Sequence, residues 1–94
     1  MEATFYATEG EIIKVSPRNG KDFKLEELYT LLGCDYIEVL RLDDKNIVII
    51  DHEGKLNGRP VNYKATALCH EKNAIFDWDC IVGPAIVCHT KMLK

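Results

Sequence analysis

The stretch DHEGKLNGRPVNYKATAL, residues 51–68, is where a strand-forming run stops and a helical pattern begins, and its reading decides the fold. Gly54 and Gly58 permit positive φ, Pro60 fixes φ near one value, and Asn57 and Asn62 favour turns and caps. So dense a set of such residues specifies a shaped crossover, and shaped loops on rigid scaffolds are where function concentrates. Working outward, Ile47-Val48-Ile49-Ile50 is apolar on both faces of a strand over 46–51, as expected for a central strand covered on both sides. On the other side, Asn62 is placed to cap a short helix over 62–69 whose Ala65, Leu68 and Cys69 face inward.

The remaining elements follow from periodicity. Residues 36–42 read as a strand joined to 46–51 by Asp43-Asp44-Lys45, a connection short enough to make the two antiparallel neighbours. Residues 4–8 and 11–15 are β-prone runs around a tight turn at Glu9-Gly10. Leu25, Leu28, Tyr29 and Leu32 stand at i, i+3, i+4 and i+7, which predicts a helix over 22–32 with Asp22 as N-cap and Gly33 as C-cap. Glu26 and Glu27 fall near its positive end, where carboxylates stabilise the dipole. Residues 79–90 carry Ile81, Val82, Ala85, Ile86, Val87 and Cys88 around Gly83-Pro84. Since Pro removes a ladder donor, it implies a sheet edge or a bulge, and this segment is expected to give two short strands or one kinked strand. The fold class is α+β, a mostly antiparallel sheet of about five strands with one main helix and one short one.

Ninety-four residues make one domain with a single core. The net charge of −3 has both signs mixed along the chain, which excludes the basic face needed to bind duplex nucleic acid or to read it as a gene regulator. No stretch approaches the roughly 18 consecutive apolar residues of a membrane span, and the first residues lack a basic segment followed by an apolar one. The expected location is therefore the cytoplasm, away from membranes. Cys34, Cys69, Cys80 and Cys88 contain no C-x-x-C pair, so free buried thiols are expected in place of disulfides.

Several candidate sites emerge. In the crossover, Lys55, Asn57, Arg59 and Asn62 with the amides near Gly54 and Gly58 form a possible anion site. Arginine offers a bidentate fork, loop N–H groups can form a nest, and the following helix adds its dipole. The plainer reading is that these residues only shape the path. The second candidate is aromatic: alternation in NAIFDWD puts Phe76 and Trp78 on one side, and with Tyr36 they could anchor a partner protein or fill the core. The dipeptides Cys69-His70 and Cys88-His89 could supply zinc only if adjacent in space, and neighbouring residues diverge on strands and helices alike, so no metal is expected. Without a G-x-S-x-G, phosphate-loop, H-E-x-x-H or dinucleotide pattern, neither catalytic residues nor a cofactor are assigned.

The succession I-I-K-V-x-P-x-N-G-K-x-F-x-L-E-E-L over 12–28, Y-I-E-V-x-R-L over 36–42, E-G-K-L-N-G-R-P-V-N-x-x-A-T-A-L over 53–68 and D-x-I-V-G-x-A-I-V over 79–87 resembles a family of small domains of unknown function encoded by phages, plasmids and integrated elements. The resemblance covers residues 10–88. The family commonly has Ser or Thr where this chain has Lys24, which would complete a capping box with Glu27, and the linker 70–78 looks like a local elaboration. No activity or catalytic set comes with the resemblance. It implies a mobile-element setting in which compact orphan domains often blunt host defences. The expectation is a non-catalytic accessory protein that binds a host protein or sequesters a small nucleotide, with homo-oligomerisation open. The alternatives are an uncharacterised structural or interaction domain and a Cys/His-dependent enzyme.

Overall fold

A computed structural model of the chain describes residues 2–93. Five strands, β1 (Ala3–Tyr6), β2 (Ile12–Val15), β3 (Ile37–Arg41), β4 (Asn46–Asp51) and β5 (Ala85–His89), form one sheet in the order β2-β1-β5-β4-β3. Every pairing is antiparallel. Two helices, α1 (Leu25–Leu32) and α2 (Tyr63–Glu71), complete the α+β fold, and a 3-10 turn at Thr90–Met92 follows β5.

The helices cover opposite faces of the sheet. Along β4, Ile47 and Ile49 pack with Leu28 and Leu32 of α1, whereas Val48 and Ile50 pack with Ala65 and Cys69 of α2. Successive side chains of a strand point to opposite faces, so a strand between two helices must be apolar at every position, as this one is. Ile86 and Cys88 of β5 join the α1 side, and Ala85 and Val87 join the α2 side.

Helix α1 begins later than its leucine periodicity predicts. Lys24, not Asp22, is the N-cap, because Glu27 reaches back and accepts from Lys24 N at 3.1 Å and from Arg18 N at 2.8 Å. An ammonium has no lone pair to return the favour, so only the Glu27 half of a capping box operates. These two backbone donors hold the Glu27 carboxyl below its ordinary pKa. Starting at residue 25 leaves Leu25 half-exposed on the first turn, while Leu28 and Leu32 are buried. Gly33 takes the left-handed conformation at φ 64° that ends the helix, and Cys34 N closes it onto Tyr29 O at 3.1 Å. Asp22 instead accepts a bond from Asn19 Nδ2.

The segment around Gly83-Pro84 also differs from expectation. It does not form an edge: β5 begins at Ala85 and runs through the middle of the sheet between β1 and β4. Pro84 stands one residue outside the ladder, where its missing N–H costs nothing. The edges are β2 and β3. Helix α2 is no shorter than α1, with nine residues against eight.

Candidate functional site

The crossover 51–62 is built around internal bonds. Asn62 is fully buried and accepts from Ala65 N at 3.1 Å as the N-cap of α2, while its Nδ2 donates to Tyr6 O at 3.0 Å and Gly83 O at 2.9 Å. One side chain therefore fastens the helix start to β1 and to the approach to β5. Asp51 is 3% exposed at its side chain, and Arg59 Nε lies 2.9 Å from its Oδ2. That contact is ionic, since no N–H is aimed at the oxygen. The other end of the guanidinium donates to the carbonyl of Gly33 at the end of α1. Arg59 also lies across Gly83, where an added Cβ would come 2.7 Å from its Cδ. Gly54 is needed for a similar reason, because a Cβ there would sit 2.9 Å from Val82 Cγ2.

Amides that would have lined an anion nest are engaged within the loop. Gly54 N donates to Asp51 O, Asn57 N to Glu53 O, Gly58 N to Lys55 O and Arg59 N to Gly54 O, all at 2.9–3.2 Å. Lys55 forms an ion pair with Asp79 of the following linker. The pairing raises the Lys55 pKa and lowers that of Asp79, the direct bond between them being the main cause in each. Of the six crossover residues singled out in the sequence, Gly54, Arg59 and Asn62 thus hold the fold together and Lys55 is paired. Asn57 and Gly58 are exposed.

The linker 73–80 is built differently. Phe76 and Trp78 stack with ring centroids 5.4 Å apart and planes 10° from parallel, and they remain 70% and 79% exposed. Tyr36, the residue before β3, is exposed as well. Between the linker and the α2-side face of β3 and β4 runs a groove. One part, about 200 Å³, is lined by Glu38, Leu40, Ile50, Leu56, Ile75 and Asp79 among others. The next part, about 340 Å³, is lined by Leu40, Ala74, Ile75, Phe76 and Asp79. Leu40, Ile75 and Asp79 are common to both, so the two parts adjoin at Leu40 of β3. The sequence signalled the aromatics but not the groove, whose walls come from β3, β4, the crossover and the linker.

The four thiols are free. Cys69 and Cys88 are buried and burial alone pushes each to about 11, while desolvation also raises Cys34. Cys69 packs on the α2 side and Cys88 on the α1 side, so the two Cys-His dipeptides belong to opposite faces of the sheet. His70 Nε2 is 2.8 Å from Asp79 O, and His89 Nδ1 accepts from Lys91 N. Among the described residues no three His, Cys, Asp or Glu side chains cluster as metal ligands, and no helix is long and apolar enough to cross a membrane.

No curated protein and no solved structure matches the chain. One family model does, over residues 5–92, which takes in every helix and nearly every strand residue. The chain belongs to that family, described as Domain of unknown function (DUF3846).

Proposed function

We propose that this chain is a non-catalytic accessory protein of a phage or other mobile element, acting in the host cytoplasm by stoichiometric binding of a host protein, in the manner of a counter-defence factor. The observation that carries the reading is the stacked Phe76–Trp78 pair, which leaves two large rings in solvent in a chain with only one Trp. A small domain normally uses such rings in its core, and rigid exposed aromatics are the usual anchors of protein interfaces. Thiols held protonated at neutral pH support a protein without covalent catalysis through Cys69 or Cys88.

Sequestration of a small nucleotide at the crossover is the weaker reading. Its guanidinium already neutralises Asp51 and bonds Gly33, and its ammonium is paired with Asp79. The test is affinity capture from host-cell lysate by tagged chain, comparing wild type with the Phe76→Ala, Trp78→Ala double variant. A protein retained by the first and lost by the second is the expected result. A nucleotide released on heating, with no co-purifying protein sensitive to the double variant, would favour sequestration.

A further inference from the structure

The free edge of β3, the groove beside it and the carboxylates around that groove define one kind of occupant. At one end of the β3–β4 ladder His52 N donates to Tyr36 O at 3.0 Å, and at the other Leu42 N donates to Asn46 O at 3.0 Å. In an antiparallel pair hydrogen-bonded positions recur every second residue, so the even-numbered residues from 36 to 42 face β4. The N–H and C=O groups of Ile37, Val39 and Arg41 therefore point away from the sheet, and β3 is terminal, so among the described residues no neighbouring strand takes them. An extended segment laid there would complete the ladder and place alternate side chains over Leu40, Ile75 and Phe76.

The charge of this surface is predominantly negative. Glu38 is 44% exposed, with His52 Nδ1 at 3.9 Å as its nearest basic partner, and Lys55, although close, is bonded to Asp79. Asp77, between Phe76 and Trp78 in the sequence, is exposed. Glu38 and Asp79 line the groove, Asp79 together with its partner Lys55, and Asp77 adds an exposed carboxylate in the adjoining linker, while the Arg41 cation of β3 is paired with Asp44. We infer that β3 and the groove take up an extended segment of a partner protein in which aliphatic residues alternate with Lys or Arg, the aliphatics filling the groove and the cations meeting Glu38 and Asp77. This rests on the protein-binding reading and specifies its docking mode. The opposite edge, β2, has exposed Ile12 and Ile13 but carries Lys14, and the cavity at its Val15 end is lined by Arg18 as well as Glu27, so it does not select a basic segment.

The probe is a fluorescein-labelled peptide of about ten residues alternating lysine and valine, long enough to span the edge strand, followed by anisotropy at about 0.1 M salt and by amide NMR shifts of the full chain. Two comparators carry glutamate in place of lysine, or the same lysines with every second backbone amide N-methylated. The expected result is binding by the lysine peptide, at least about tenfold weaker binding by each comparator, and a loss of roughly fivefold in Glu38→Gln, Asp77→Asn chain. Shifts should concentrate at Ile37, Val39 and Arg41. Equal binding of the N-methylated peptide, or shifts confined to β2, would overturn the inference. If the Phe76→Ala, Trp78→Ala variant loses host-protein capture while the peptide ignores β3, this docking mode fails and the protein-binding reading stands. Peptide binding at β3 with capture untouched by that variant would uphold the edge and remove the aromatic reading.

Discussion

The crossover 51–62 and the linker 73–80 flank the same helix, and each drew notice in the sequence, one for its glycines and cations and the other for its aromatics. In the structure the first is tied inward and the second faces out. Arg59, Asn62 and Gly54 bind or pack against α1, β1, α2 and the segment before β5, whereas Phe76 and Trp78 touch chiefly one another and solvent. Residues chemically equipped to hold a ligand are satisfied within the protein, and residues that could have built core are left outside it. The comparison teaches that polar reactivity in a loop says little about binding until its internal partners are counted.

Substitutions that break the contrast should have graded effects. Asn62→Ala removes a helix cap and leaves the carbonyls of Tyr6 and Gly83 without their side-chain donor, so denaturant unfolding should show a loss of about 3 kcal/mol. Arg59→Ala strands a buried Asp51 carboxylate. The cost should be about 2–3 kcal/mol, below that of a fully buried pair because the guanidinium is partly exposed. Arg59→Lys should recover little of it, since one ammonium cannot serve Asp51 and Gly33 together.

Smaller effects sharpen the other side. Asp79 is held below its ordinary pKa by Lys55, so the folded state binds that proton less readily than the unfolded state. Its contribution is present above the unfolded carboxylate value of about 3.9 and fades as pH falls through the folded value. Asp79→Asn should therefore cost stability at neutral pH and progressively less as pH falls below the unfolded carboxylate value, and the exposed lysine keeps the difference under about 1 kcal/mol. Trp78→Ala and Phe76→Ala should each change unfolding free energy by no more than about 0.5 kcal/mol. Trp78 emission in the wild type should be red and open to acrylamide; a blue, shielded signal would mean that the ring is packed.

Much of the fold was legible because it depends on local pattern. The doubly apolar run of β4, the hairpin at Glu9-Gly10 and the Asn62 cap all follow from side-chain alternation or turn chemistry within a few residues. Leu25 shows where that stops: periodicity includes it in the apolar face, but the Glu27 bond to Lys24 starts the helix just before it and turns it to solvent. Gly83-Pro84 suggested an edge because proline lacks a donor, and only the strand order shows β5 in the middle with the proline outside the ladder. The Asp51–Arg59 pair and the groove beside β3 join residues whose approach is fixed by the sheet and not by their spacing. No short-range signal could have announced them.

The most direct measurement compares two double variants, Phe76→Ala, Trp78→Ala and Lys55→Ala, Asn57→Ala, for capture of the same host protein, each first shown to unfold cooperatively. The account predicts that the aromatic variant keeps its fold and loses the partner, while the crossover variant retains it. Undiminished capture by the folded aromatic variant, with loss on altering Lys55 and Asn57, would contradict it.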